Sequence, residues 1–450
     1  MKNIEELADA KIGRLMLKYF IPAFIGVFLN ALYNIVDRIF IGQGVGAEAL
    51  SGISVIFPVM LIMMGFGMLI GIGTGVLVSI NLGKKEINMA EKTIGTGFSL
   101  MVLVSILIMI VTYILKKPIL HSFGSTPETF EFANDYLNII LAGTTFTVVG
   151  FSLNNVIRSE GNARIAMISM ILSSVTNIVL DYIFIFWFDM GVKGAALATI
   201  ISMFVLMVWV LLHFRGNRSV VKLRNKHIRV DWEIMTEIIS IGMAPFSMQI
   251  ASSFVQGLLN KKLIAFGGDL AAGAMGIINS VLTLFIMAIV AINMASQPII
   301  GFNFGAKSVQ RIKESLRISL IAASIIALVA FVVIETFPGA IVKLFNNDSQ
   351  ILYDISVNGI RLVILALPIV GFQVVASNFF QSVGKAKIAI FTTLFRQVIL
   401  LIPLLFIFPN FWGINGIWLA FPVADAISAL AVSFLLIREW KLLTVIKVQS

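Results

Sequence analysis

A series of long apolar segments, separated by short charged or turn-forming stretches, constrains the fold of this chain more than any other feature. A bilayer-crossing helix needs about 20 predominantly apolar residues, whereas an open sheet leaves unpaired backbone groups that are costly in lipid. Only 12% of the residues are charged, which excludes a water-soluble fold. The sequence therefore predicts an all-α integral membrane protein with twelve transmembrane helices. We place them near residues 18–42, 50–82, 93–115, 134–157, 165–187, 193–214, 236–266, 272–303, 316–337, 353–380, 388–409 and 416–437.

The distribution of basic residues predicts the orientation of the spans. Most of the 33 Lys and Arg residues fall in the N-terminal segment and in every second connection after it, the bias expected of cytosolic loops. We therefore expect both termini in the cytosol and a multi-pass protein of a prokaryotic inner membrane. The segment Met1 to Tyr19 lacks an uninterrupted apolar core, so it is expected to be retained and not cleaved as a signal peptide. The dispersed basic residues predict no nucleic-acid partner.

The two halves of the chain match each other at an offset of 222 to 223 residues. Six helices lie between equivalent positions, so the repeats share one orientation, as in the parallel type of transporter duplication. We expect an N-terminal six-helix lobe at residues 1–214, a cytosolic linker at 215–235 and a C-terminal six-helix lobe at 236–450. The linker is interpreted as a solvated topology signal, with binding of anionic lipid headgroups as the alternative. The matching positions are Pro22 with Pro245, Asn81 with Asn303, Lys85 with Lys307, Ser159 to Met167 with Ser382 to Ile390, and Gly191 with Gly413.

The first span carries a polar stripe on an otherwise apolar helix. Asn34 lies three residues before Asp37 and Asn30 seven before, spacings that place all three on one face. An ionisable group inside the bilayer costs about 2.5 kcal/mol or more, so Asp37 is a functional candidate by default. The alternative is that it satisfies a helix-helix hydrogen bond or lies near the outer surface.

A second acid lies in span five. Asp181 shares a helix face with Asn177, and Thr199 follows in span six. Carboxylate, amide and hydroxyl oxygens can bind a small hard cation, and a pair of buried carboxylates can take up and release protons. We therefore predict a site for a proton or a cation such as Na⁺ at the two acids, Asn177 and Thr199. The alternative, as for the first acid, is a purely structural hydrogen bond.

The corresponding face of the second half is neutral, with Gln249, Gln256 and Asn260 along span seven. We therefore expect the coupling chemistry in the first half and a neutral or cationic cavity wall in the second. Arg396 in span eleven either lines this cavity or pairs with backbone carbonyls. Asp425 in span twelve is either a cavity acid or a packed acid.

Other kinds of site find little support. No GxxxxGK[ST] sequence occurs, so ATP-driven transport by this chain alone is disfavoured. The three histidines are scattered and there are no cysteines, so beyond a possible Na⁺ no metal site is expected. An integral membrane enzyme would need a clustered catalytic set that the sequence does not show. We predict no cofactor other than a coupling ion, H⁺ or Na⁺.

These residues resemble the multidrug and toxic compound extrusion (MATE) family of secondary transporters, and within it the DinF-like and MepA-like branches. The resemblance covers nearly the whole chain. It rests on Pro22 fifteen residues before Asp37, on the pair Asn177 and Asp181, and on Thr199 eighteen residues beyond the second acid. It is extended by RSEGNARIAM from Arg158 to Met167 and by FRQVILLIPLLFIF from Phe395 to Phe408.

The resemblance implies two six-helix lobes that form a V around a central cavity and alternate between outward- and inward-facing states. Entry of sodium or protons would drive the export of bulky, often cationic, lipophilic compounds by a monomer in the membrane lipid. Asp37, Asn177, Asp181 and Thr199 match the family's first-lobe cation or proton site. Pro22 matches a proline at which span one bends in some members.

The second half departs from the family pattern. Span eight carries no acid of the kind that some members have, although Asp425 matches a span-twelve acid of the MepA-like branch. An alternative function is a flippase for a lipid-linked saccharide or lipid, because the larger superfamily includes such proteins. Those proteins usually have a strongly basic cavity, whereas here Arg396 is the clearest interior cation besides the peripheral Arg38.

Overall fold

The computed structural model describes residues 2–216, 219–345 and 349–446, and its regular structure there is helical throughout. Short 3₁₀ segments lie at Asn225–His227 and Ile364–Ala366, and π-helical segments at Ile183–Trp187 and Phe395–Leu401. The α-helices are α1 (Lys2–Asp9), α2 (Ile12–Gly44), α3 (Ala47–Gly83), α4 (Ile87–Ser122), α5 (Pro127–Ala142), α6 (Thr144–Ser159), α7 (Ala163–Tyr182), α8 (Gly191–Arg215), α9 (Trp232–Gly305), α10 (Val309–Thr336), α11 (Pro338–Lys343), α12 (Gln350–Val363), α13 (Leu367–Ser382), α14 (Ala386–Leu394), α15 (Ile402–Ile407) and α16 (Pro409–Ile446).

The predicted all-α fold with twelve spans is confirmed. Among the described residues, ten helical segments are long and apolar enough to cross a membrane, and α5 with α6, bent by 56°, makes an eleventh. One of the ten, α9, is 74 residues long and turns at Gly268, where φ is 69° and ψ is −172°. It therefore holds two spans, which brings the number to twelve. Such a turn needs a left-handed backbone, which glycine adopts without a steric penalty.

The backbone repeats the internal duplication that the sequence shows. Left-handed residues recur at the offset of 222 to 223 residues, each at the end of a helix or at a turn between two helices. Two of them are lysines, Lys85 and Lys307, with φ of 63° and 56°. A left-handed lysine is uncommon because its Cβ crowds the backbone, so the shared strain indicates a shared turn geometry. The other pairs are Gly46 with Gly268, Gly161 with Gly384, and Gly191 with Gly413.

The chain divides into two compact units, which depart from the predicted boundaries. The first unit comprises Met1–Ala10 and Ile21–Phe246, and the second comprises Lys11–Phe20 and Ser247–Ser450. The predicted linker thus belongs to the first unit, together with the start of α9. Close approach holds that start in place, because Gly242 lies against the backbone of Leu69 in α3 without room for a Cβ. The beginning of α2 belongs instead to the second unit.

Each unit has its own apolar core. In the first, Ile56, Tyr136 and Ala195 are buried from α3, α5 and α8. In the second, Ile278 and Trp418 are buried from α9 and α16. Since lipid tails are as apolar as these side chains, packing and not burial from water is what favours their association.

The interpretation of the linker as a solvated signal is wrong for its first part, which is packed against the first unit. Glu160, which follows α6 and is fully buried, accepts hydrogen bonds from the backbone amides of Val220 and Val221 at 3.0 and 3.2 Å. Its carboxylate also lies 2.7 Å from Ser219 Oγ and contacts His213 Nε2. A buried carboxylate is stable only when it is paired and hydrogen-bonded, so the linker supplies what this acid requires.

A second buried acid holds the next part of the linker. Glu91 of α4 accepts a hydrogen bond from Arg224 Nε at 2.6 Å and one from the amide of Lys222 at 3.4 Å. Gly95, one turn further along α4, lies against the carbonyl of His227 and has no room for a Cβ. Two acids and one glycine therefore fix the linker from Ser219 to His227.

Candidate functional site

In the first unit, the part of α2 from Ile21 onward and helix α7 run side by side in the same direction. Gly26 of α2 faces Met170 of α7. Further along, the Phe40 ring lies 6.1 Å from that of Tyr182, between ring centroids, and Gly44 faces Ile185 in the π-helical segment. Contacts that advance in step on both helices define a parallel seam.

Polar residues line the seam between these contacts. On α2, Asn30, Tyr33 and Asp37 follow Gly26 at four, seven and eleven residues. On α7, Ser174, Asn177 and Asp181 follow Met170 at the same spacings and are buried. Positions four, seven and eleven residues apart share one helix face, so each helix presents one polar stripe. We call these two stripes the polar seam.

The two carboxylates meet at one end of the polar seam. Asp37 and Asp181 interact with each other, although they lie 144 positions apart in sequence. Tyr33 and Tyr136 lie within electrostatic range of both acids, and Tyr136 also lies near Thr199. Asp181 is completely buried, while Asp37 and Thr199 are half-buried. Four elements, α2, α5, α7 and α8, thus converge on one polar cluster.

The cluster holds polar atoms that have no hydrogen-bond partner among the described residues. They are Oδ1 of Asp37, both carboxylate oxygens of Asp181, and both Oδ1 and Nδ2 of Asn177. Leaving a buried polar group unpaired costs about 1–3 kcal/mol, and more if it is charged. The predicted set fits a proton shared between the carboxylates or a hard cation held by their oxygens.

Within the residues that the structure describes, no group of three or more His, Cys, Asp or Glu side chains could hold a metal ion. The donors at the cluster are oxygens and one amide, and oxygens are the ligands that hard cations such as Na⁺, Mg²⁺ and Ca²⁺ take.

Two other predicted residues of span one lie apart from the acids. Asn34 is exposed and its Nδ2 donates a hydrogen bond to the carbonyl of Asn30 at 2.6 Å. Pro22 is buried near the start of α2, and the helix continues through it without a break. Its role as the point at which this helix bends therefore stays a prediction.

In the second unit, the two charged candidates form an ion pair. Arg396 Nε donates to Asp425 Oδ1, and the Asp425 side chain is almost fully buried. Neither of the alternatives for Arg396 anticipated this partner. Neighbouring amides extend the polar group, with Gln397 Nε2 donating to Ser252 Oγ at 2.9 Å.

The neutral candidates of span seven lie on the surface of the second unit. Gln256 Nε2 donates to Asn260 Oδ1 at 3.3 Å, and both side chains are exposed. Gln249 is half-buried, and its carbonyl accepts a hydrogen bond from Ser253. Their place in a substrate cavity stays a prediction.

Sequence reasoning missed several residues of these sites. Tyr33 could have been found, because it continues the stripe from Asn30 to Asp37. Tyr136 gave no signal, since nothing in α5 indicates that it faces the acids. Arg158 entered the sequence analysis only as the first residue of the RSEGNARIAM segment and as one basic residue of a connection, yet it is 5% exposed and thus buried.

The chain is similar to known proteins in sequence and in fold. A family model described as MatE matches residues 22–183 and 241–407. The multidrug export protein MepA of Staphylococcus saprophyticus is 28% identical over 418 residues, which are 92% of this chain and 91% of that protein. MepA of Staphylococcus aureus is 28% identical over 422 residues, 93% of this chain and 92% of that protein.

Solved structures show the same fold. A MATE transporter in the bent conformation superposes with a TM-score of 0.93 at 24% identity, covering 99% of this chain and 98% of the other. An outward-facing multidrug resistance transporter of the MATE family superposes with a TM-score of 0.92 at 24% identity, covering 98% and 99%.

Proposed function

Since this chain belongs to the MATE family of membrane transporters, we propose that it is an antiporter in which inward movement of protons or sodium drives the export of bulky, lipophilic, often cationic compounds. The observation that carries the proposal is the polar cluster of Asp37 and Asp181, two acids that lie close together inside the first unit. Members of this family are transporters and not enzymes. The chain is accordingly a multi-pass membrane transporter.

The coupling step follows from the electrostatics of the cluster. Two carboxylates in a desolvated site repel each other, so binding of a proton or a cation relieves the repulsion. This binding is more favourable in a conformation that holds the two carboxylates closer together. An ion that binds one conformation more tightly than another shifts the equilibrium toward the first by its difference in affinity. We propose that neutralisation of the acids, with bending of α2 at Pro22, favours the conformation that releases substrate outward.

The orientation is part of the proposal. The bias of Lys and Arg toward alternate connections supports cytosolic termini and a cytosolic linker. The polar cluster then lies in the outer half of the first unit, because Asp181 stands near the end of the span Ala163–Trp187 that is opposite to the linker. The expected setting is the cell membrane of a prokaryote, with the protein as a monomer.

The alternative, a flippase for a lipid-linked saccharide, would have to bind phosphate groups. Arg396, the cation that sequence analysis singled out, is paired with Asp425, so its charge is already compensated. This pairing supports an exporter over a flippase.

The experiment is efflux of a fluorescent lipophilic cation from proteoliposomes under separately imposed proton and sodium gradients. We expect efflux above that of empty vesicles with one gradient and a loss of at least about ten-fold in Asp37→Asn. Dye movement that no gradient accelerates would contradict the proposal. Movement of a fluorescent lipid analogue in place of the dye would favour the flippase.

A further inference from the structure

The polar seam ends, on the side away from the acids, at a buried cation. We infer that Arg158 is an electrostatic barrier that keeps the coupling ion from passing from the acid cluster to the linker side of the first unit. The inference rests on the proposed function, because only an ion-coupled transporter has such an ion to retain.

Arg158 is buried, and the described residues supply no counter-ion for it. Its Nη2 donates to Asn155 Oδ1 at 2.7 Å, and its Nη1 lies 3.9 Å from Met170 Sδ. No carboxylate lies within 4.0 Å of its guanidinium among the described residues. Burying an unpaired charge is unfavourable, so packing alone would select a neutral side chain at this position.

The duplication supplies that neutral side chain. Gln381 stands at the equivalent position of the second half, 223 residues on, and is also buried, 8% exposed. Asn155 likewise corresponds to Asn378. Both halves therefore fold around a polar side chain here, but only the half with the acid cluster carries a positive charge.

The guanidinium lies at the end of the polar seam that is away from the acids. Its contact Met170 lies at the start of the α7 face that continues through Ser174 and Asn177 to Asp181. The eleven residues from the first to the last of these correspond to about 16 Å along the helix at 1.5 Å per residue. On the other side, Glu160 follows at once and binds the linker.

A fixed positive charge at this point repels a cation that leaves the acids toward the linker. At about 4 Å and an effective dielectric constant of about 20, the repulsion between two unit charges corresponds to roughly a thousand-fold change in rate. The acids attract the ion at one end of the seam and the guanidinium repels it at the other. The ion can then return only by the side from which it entered, until the conformation changes.

The test is passive cation leak through substrate-free proteoliposomes, recorded with an internal pH dye and with radioactive sodium under a membrane potential. Arg158→Gln copies the second half, Arg158→Met removes the charge at similar length, and Arg158→Lys keeps the charge. We expect leak to rise at least about ten-fold in the two uncharged variants and to stay low in Arg158→Lys. Leak in Arg158→Gln should fall again when Asp181→Asn is added.

Melting temperature and elution volume establish that each variant is folded. The inference is overturned if both uncharged variants are as tight as the parent. It is also overturned if Arg158→Lys is as leaky as Arg158→Gln, which would indicate packing and not charge. Leak that persists with Asp181→Asn would also overturn it. The proposed function fails separately, through a parent protein that exports no dye under either gradient, because the leak assay contains no dye.

Discussion

Arg396 and Asp425 form an ion pair that joins spans eleven and twelve of the second unit, and Ser173 stands 223 residues before the arginine. In the first unit, Ser173 Oγ donates a hydrogen bond of 3.1 Å to the carbonyl of Ser202. A polar contact between the two equivalent helices is therefore ionic in one half and neutral in the other. The acids Asp37 and Asp181 of the first half have no charged counterparts in the second. The two halves therefore carry their buried charges at positions that are not equivalent.

This relationship predicts how the ion pair responds to substitution. Removing one partner leaves a buried charge unpaired, so Arg396→Ser or Asp425→Ser alone should destabilise the protein by about 3–5 kcal/mol. The double variant leaves neither charge unpaired and should be more stable than either single variant. Thermal unfolding in lipid-containing detergent measures all four proteins. Additive losses in the double variant would contradict the pairing.

The unpaired amide of Asn177 predicts a trade between stability and ion binding. The second half has Leu400 at this position, so Asn177→Leu should pack and should remove two buried polar atoms that lack partners. The expected gain is about 1 kcal/mol or more in the free energy of unfolding. If the amide is an ion ligand, added sodium or acid should then stabilise the variant less than the parent. Melting curves with and without the ion decide this, and an unchanged ion response would remove Asn177 from the site.

Because the linker is docked on the first unit, we expect it to resist cleavage by trypsin. We expect this resistance to depend on Glu160. While the linker is docked, its backbone from Ser219 to Arg224 is held by buried acids, so cleavage after Lys222 and Arg224 should be slow. Glu160→Val, which copies Val383 of the second half, should accelerate this cleavage by about ten-fold or more, as loss of a buried network with several hydrogen bonds would. Glu86→Val, at an exposed acid, is the matched control. Equal cleavage of the parent and Glu160→Val would show that the linker is not held.

The docked linker should also loosen in acid. Desolvation lowers the pKa of His227 below its usual value near 6.5, and the neighbouring Lys226 adds to this effect. The docked form thus favours the neutral imidazole, and its stability is lost as the pH falls through the pKa of the undocked form. Hydrogen exchange of the linker amides, corrected for intrinsic rates, should show protection that declines between pH 7 and pH 5.5. His227→Gln should abolish that decline, and the same decline in this variant would assign it to another group.

The fold could be predicted from the sequence because few kinds of fold can span a bilayer. Apolar length predicted twelve spans, and the repeat predicted two similar halves. The proximity of Asp37 and Asp181 was harder to predict. The sequence shows the polar stripe on each helix, but whether the two stripes meet depends on the register of α2 against α7. That register is set by Gly26 and Gly44, whose missing side chains admit Met170 and Ile185.

Other features depended on contacts that no local pattern encodes. The burial of Arg158, the pairing of Arg396 with Asp425 and the docking of the linker on Glu91 and Glu160 all join distant segments. The linker shows why composition misled: its basic residues look solvated, but the acids that bind its backbone lie in α4 and after α6. The unit boundary also escaped prediction, because helix α9 begins on one unit and continues into the other.

The most direct test of ion-coupled export is the reverse exchange, in which a substrate gradient drives the ion. Proteoliposomes loaded with a lipophilic cation and diluted into dye-free buffer, without any ion gradient, should take up protons or sodium as the compound leaves, since coupling between two ligands is reciprocal. Asp181→Asn should abolish the uptake, whereas Asp189→Asn, at an exposed acid of the same unit, should retain it. Efflux of the compound with no ion movement, or undiminished ion uptake in Asp181→Asn, would contradict the account.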